Sequence, residues 1–145
     1  MEGWIKINDL SKSSSLFGRG HGLSSGNHGY FLTYYAATKS LYFDTYSTTT
    51  RDALYKTNAI LDNNWHHIAV TWDGTTSANG KKIYIDGVLI VQKTSAISSM
   101  GNPSYNFRIG IDSTNSRPAK ATIDEVKVYN RALLASEVLA DYNAG

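Results

Sequence analysis

The chain has 145 residues, of which 41% are hydrophobic and 18% charged, with a net charge of +2 and no cysteine. That is one domain with one core. It excludes a disulfide framework. The absence of any block of basic residues excludes electrostatic nucleic-acid binding, and no apolar run reaches the roughly 18 residues of a membrane span. Residues 1–15 lack the charged-then-apolar pattern of a signal peptide. Ten Tyr and three Trp supply rings with an apolar face and a polar tip, which suit sheet surfaces and binding sites.

The dominant sequence period is two, the period of a strand. Trp4 to Asn8 alternates around Ile5 and Ile7 and predicts a first strand. Ser11 to His28, rich in Ser and Gly and holding His21 and His28, predicts a long irregular loop. Gly29 to Tyr35 and Ser40 to Tyr46 predict two strands joined by a turn at Ala36 to Lys39. Trp65 to Trp72 is the most hydrophobic strand and stops at the turn signal Asp73-Gly74. Lys81 to Asp86 and Val88 to Lys93 read as a hairpin closed by Asp86-Gly87. A second long loop, Ser95 to Asn106, precedes strands at Phe107 to Asp112 and Ala121 to Tyr129. Val138, Leu139 and Tyr142 then fall at helical spacing, so Ala135 to Tyr142 predicts one short terminal helix packed as a lid. Eight or nine strands at regular intervals predict an all-β, antiparallel β-sandwich.

Four motifs in order carry a resemblance. Asn64-Trp65-His66-His67-Ile68-Ala69-Val70-Thr71-Trp72-Asp73-Gly74 resembles the W-H-H-V-A-V-T-x-D-G strand of laminin-G-like jelly-roll domains, within the concanavalin A-like lectin/glucanase superfamily. Lys82 to Val88 is similar to that family's L-Y-V-D-G hairpin, and Phe107-Arg108-Ile109-Gly110 to its I-G strand. Ile123 to Leu133 is close to its I-D-E-V-R-I-Y-N-R-A-L signature, and Tyr142-Asn143-Ala144-Gly145 matches its usual terminus. The resemblance implies a jelly roll over residues 1–145 as a single domain that lacks the family's usual N-terminal strands. Either the sequence begins partway into the domain, or another chain fills the gap, or the last strand has a bare edge, which would invite self-association. The family's Ser at the helix start is Leu134 here, so the capping bond comes from elsewhere or the helix end frays.

The resemblance also implies a Ca²⁺ role for Asp124, with Asp112 as a weaker second ligand. The competing reading is that Asp124 accepts backbone N–H groups in a turn. Glu125 beside Asp124 does not make a catalytic pair, because neighbours in a regular strand point to opposite faces. No carboxylates at alternate strand positions form the cluster of the related glucanases, so the chain is expected not to be an enzyme. His66 and His67 diverge for the same reason, one tucked against the sandwich and the other toward solvent, and neither has a triad context.

With Ile5, Ile7, Leu41, Phe43, Ile83, Ile85, Ile109 and Val126 inward, the outward set holds Trp4, Lys6, Tyr42, Asp44, Tyr46, Tyr84, Asp86, Arg108 and Asp112. Rings that stack on sugar C–H faces and polar groups that bond hydroxyls make Trp4, Tyr42, Asp44, Tyr46, Tyr84 and Arg108 the candidate ligand-binding residues; a polar, Tyr-rich exterior is also what any sandwich presents. Truncating Trp65 or Ile85 is expected to cost several kcal/mol. The resulting expectation is a carbohydrate- or glycan-recognising module of a secreted or surface protein. The alternative is a structural or adhesion module, binding protein partners, in a surface or phage protein.

Overall fold

The computed structural model describes residues 1–20 and 29–145, so His21 and His28 of the first predicted loop lie outside the described residues. Among the described residues, ten strands form two five-stranded antiparallel sheets. The strands are β1 (Glu2–Ile7), β2 (Ser14–Arg19), β3 (Tyr30–Tyr35), β4 (Ser40–Tyr46), β5 (Arg51–Lys56), β6 (Trp65–Trp72), β7 (Lys81–Ile85), β8 (Val88–Lys93), β9 (Phe107–Ile109) and β10 (Ala121–Lys127), followed by helix α1 (Ala135–Ala144). One sheet runs β10-β1-β6-β7-β8; α1 packs on its outer face, and we call it the helix-side sheet. The other runs β5-β4-β3-β2-β9 and is called the tyrosine-side sheet. The last strand, β10, forms an edge of its sheet among the described residues.

Two of these strands go beyond the predicted set. β2 forms inside the predicted long loop, where Leu16 and Phe17 are both buried because the register shifts between Ser15 and Phe17. A bulge of this kind breaks the alternation that strand prediction relies on. β5 alternates Asp52 and Leu54 inward against Arg51 and Tyr55 outward. The Asp86-Gly87 hairpin is present, with φ of +52° and +76° at its two central residues, the geometry that matches strand twist.

The core between the sheets holds Ile5, Ile7, Leu41, Phe43 and Ile83 as predicted, joined by Leu16, Phe17, Leu32, Tyr34, Leu54, Ile60, Ile68 and Val70. Each fully buried aliphatic or aromatic side chain contributes roughly 1.5–3 kcal/mol. Ile85 and Val126 are half-buried against this core. Two expectations are corrected. Ile109, on the three-residue edge strand β9, is 53% exposed. Trp65 starts β6 with its side chain on the outer face, 42% exposed, so its truncation removes little core.

A second, smaller cluster lies outside the helix-side sheet. Ala69 and Tyr84 point away from the main core and are covered by Leu133 and Val138. The lid predicted from Val138 spacing therefore exists. Its start is held without a hydroxyl cap: the Glu137 carboxylate accepts the Leu134 N–H at 2.8 Å and is itself gripped by the Arg131 guanidinium. This is one half of a capping box, with the Glu as the residue that supplies it.

Candidate functional site

The six residues predicted to bind ligand are split between two faces. Tyr42, Asp44, Tyr46 and Arg108 belong to the outer face of the tyrosine-side sheet, and Trp4 and Tyr84 to that of the helix-side sheet. Tyr84 is corrected first. Its direction is as predicted, but the α1 lid leaves it 1% exposed, so it meets protein rather than ligand. Tyr46 is also buried, at 4% exposure, and burial pushes its phenol well above the usual range. Asp44 is fully buried and accepts a two-pronged grip from Arg51, Nε to Oδ1 at 2.9 Å and Nη2 to Oδ2 at 3.1 Å.

What remains accessible on the tyrosine-side face is a platform built by strand register. Tyr42 on β4 lies opposite Tyr55 on β5 and Thr33 on β3. The Tyr42 and Tyr55 rings stack with centroids 4.8 Å apart and planes 11° apart, and Tyr35 meets Tyr42 edge-on, also at 4.8 Å. Aromatic pairs favour these two arrangements. The Arg51 guanidinium stands 5.9 Å from the Tyr42 centroid. On the other side, Arg117 donates from Nη1 to the Tyr35 hydroxyl at 2.8 Å and lies 3.5 Å from Asp112. The Thr33 hydroxyl, between β2 and β4 in register, is buried with no hydrogen-bond partner among the described residues. Tyr55, Tyr35, Arg51 and Arg117 were all missed by the sequence reading. The alternation of Arg51, Ala53 and Tyr55 was the signal that could have found two of them.

Arg108 sits on the same face at β9, donating to the Asp112 carbonyl at 3.1 Å and to Asn115 Oδ1 at 2.6 Å, with its guanidinium 5.9 Å from the Tyr105 ring. Asp112 is fully buried at the centre of its loop. Burial would raise its pKa, but hydrogen bonds from Thr114 and Ser116 outweigh this and bring it down to about 2.

The calcium expectation can be tested on these donor sets. Asp112 is enclosed by N–H and O–H donors from Ser15, Thr114 and Ser116 and by the Arg117 guanidinium. Such an arrangement satisfies a carboxylate without a cation and does not fit one. Asp124 is exposed, and its Oδ1 accepts the Glu125 N–H at 2.8 Å. Among the described residues no three His, Asp or Glu side chains lie together as metal ligands.

On the helix-side sheet, His67 is buried beneath the lid and His66 lies at the sandwich end with its side chain 19% exposed, so the two imidazoles diverge as predicted but neither stands open to solvent. His66 lies between Asp86 (2.8 Å) and Asp62 (3.1 Å). Burial would lower its pKa, but these two carboxylates outweigh burial and raise it. Burial lowers that of His67. Trp4 is half-buried, its ring 5.5 Å from His67 and 5.8 Å from Tyr142. A cavity of about 500 Å³ opens beside Tyr30, Phe43, Val70, Trp72 and Met100, with Thr71, Asp73, Asn130 and Arg131 also in its lining.

The family model described as concanavalin A-like lectin/glucanases superfamily, of laminin-G type, matches residues 1–139. No curated protein is similar enough in sequence to count as a relative. Among solved structures, the chain is similar to the binding domain of botulinum neurotoxin serotype D, with a TM-score of 0.73 at 14% identity over 99% of this chain and 35% of that one. The serotype G binding domain gives 0.69 at 16% identity, again over 99% of this chain and 35% of that one. The chain thus spans about a third of those toxin domains. The CBM40 module of the Ruminococcus gnavus IT-sialidase, solved bound to α2,3 sialyllactose, gives 0.65 at 16% identity over 97% of this chain and 82% of that one.

Proposed function

Because the chain belongs to the concanavalin A-like lectin/glucanases superfamily, we propose that it is a non-catalytic module that recognises glycans through the outer face of its tyrosine-side sheet. The observation that carries this reading is the stacked Tyr42–Tyr55 pair with Tyr35 at its edge. The stack leaves the Tyr55 ring 51% exposed to meet a sugar C–H face, with Arg51 and Arg117 at its margins to bond hydroxyls. The neighbour solved with sialyllactose shares the fold, which makes a glycan the first ligand class to try.

Two carboxylates on this face argue for binding rather than hydrolysis. Asp44 and Asp112 are each buried and held by an arginine and other donors. A carboxylate so engaged is not free to protonate a leaving group or activate water. The module belongs, on this reading, to a secreted or surface protein.

A glycan array tests the proposal, run with and without EDTA. Retention of one or more glycans is expected. Retention of none would favour the second reading, an adhesion module that binds protein or a second copy through an uncovered strand. One observation favours that alternative: the edge strand β8 exposes Val88 (62%) and Leu89 (40%).

A further inference from the structure

The outer face of the helix-side sheet carries a separate cavity of about 280 Å³, lined by Trp4, Trp65, Asp124, Glu125 and Gly145. Sequence periodicity places Asp124 and Glu125 on opposite faces. The structure brings both to one cavity, because β10 is irregular opposite Glu2 and Trp4 and Glu125 adopts φ +48°. A bulge re-aims a side chain in this way.

These two carboxylates differ from every other acidic residue of the chain. Glu2, Asp44, Asp52, Asp62, Asp86, Asp112, Glu137 and Asp141 each have a cationic or imidazole partner, and Asp9 and Asp73 are bonded by hydroxyls of their own loops. Asp124 accepts only its neighbour's N–H, and among the described residues no hydrogen bond or ion pair reaches the Glu125 carboxylate, whose field extends to His67. Lys6, which lies between Trp65 and Thr122 in register, does not line the cavity.

The chemistry of the lining selects among ligands. An indole presents the negative face of its quadrupole, and two unpaired carboxylates add full negative charge, so the cavity favours a cation. A hard metal ion wants six to eight oxygens, and the indoles supply none. A soft, weakly hydrated organic cation matches both walls at once. We propose that this cavity binds an alkylammonium group, seated between Trp4 and Trp65 with Asp124 and Glu125 as its counter-charges.

The test titrates the whole chain with choline, with ethanolamine and with 3,3-dimethyl-1-butanol, the uncharged isostere of choline. Tryptophan fluorescence and the Trp65 indole N–H shift report binding. Choline or ethanolamine is expected to saturate the signal, with the isostere weaker by about tenfold or more. Tighter choline identifies a methylated ammonium as the ligand group, and tighter ethanolamine a primary one. Glu125→Gln, Asp124→Asn and Trp65→Ala, all at exposed side chains, are each expected to weaken binding while the melting temperature stays in place, and Tyr42→Ala is expected to leave it intact. Equal binding of the isostere, or ammonium binding that survives both carboxylate replacements, would overturn the proposal, as would failure of both amines to move the Trp65 signal.

Discussion

Lys81 of β7 crosses the sandwich interior to Asp52 of β5 on the opposite sheet, its Nζ 3.2 Å from Oδ2 and hydrogen-bonded to the Thr45 hydroxyl at 2.8 Å. Asp52 also engages Lys93 and accepts from the Ser95 hydroxyl at 2.8 Å, and the Lys81 ammonium lies 4.7 Å from the Phe43 ring centroid. A fully buried lysine thus ties the two sheets through one carboxylate. Burial brings its pKa down to about 8 against the opposing pull of Asp52.

Asp52→Ala leaves the buried ammonium uncompensated and is expected to destabilise by roughly 3–5 kcal/mol. Lys81→Met keeps Asp52 paired with Lys93 and is expected to cost less. Burial opposes ionisation of Asp52, but its lysine partners and Ser95 prevail and hold its pKa at about 2. A carboxyl depressed in the folded state contributes stability above its ordinary pKa and loses it as pH falls through the folded value. The acid limb between the ordinary value of 3.8 and about 2 should therefore flatten in Asp52→Ala. Urea denaturation across this range measures both effects; equal costs for the two variants would contradict the assignment.

The adjacent histidines should titrate on opposite sides of the ordinary value of 6.5, His66 above it and His67 below. For His66 the raised folded pKa means that its stabilisation is complete below 6.5 and disappears as pH rises through the folded value. Imidazole NMR titration resolves the two, and the reverse order would show that Asp86 and Asp62 do not hold His66.

Gly87 serves the hairpin and the lid together. Its φ is +76°, and a Cβ there would lie 2.8 Å from Leu139 Cδ1 and 3.2 Å from Tyr142 Cδ1. Gly87→Ala is expected to cost about 1–2 kcal/mol from the left-handed backbone alone, with faster amide exchange over residues 135–144. Unchanged exchange would mean that the lid does not rest on the turn.

Calcium is expected to leave the melting temperature where EDTA leaves it, because Asp112 is enclosed by donors and Asp124 has no third acidic or imidazole neighbour among the described residues. A ligand that binds only the folded state raises the midpoint. A rise of several degrees would show that the folded chain binds Ca²⁺ and would contradict this expectation.

The architecture was legible wherever alternation was unbroken. Ile5-Lys6-Ile7 and Leu41-Tyr42-Phe43 announce their faces, and Asp86-Gly87 announces its turn. Legibility fails at bulges, at covered faces and in loops. Leu16 and Phe17 are adjacent and both buried, so period two hides β2 inside a Ser/Gly-rich stretch. Tyr84 points outward as its spacing says, yet spacing holds no record that Leu133 and Val138 return to cover it. Tyr42 was identified, but its partners Tyr35 and Tyr55 come from two other strands, and only register brings them together. The cavity at Asp124 and Glu125 depends on one left-handed residue within a strand, a conformation that no sequence period encodes.

The most direct test of the glycan-binding account is backbone NMR shift mapping with a glycan retained on the array. Shifts are predicted at Tyr35, Arg51 and Tyr55 around Tyr42, and Tyr42→Ala should abolish them while the melting temperature holds. Shifts confined to the helix-side sheet, or glycan binding that survives Tyr42→Ala together with Tyr55→Ala, would contradict the assignment of the tyrosine-side face.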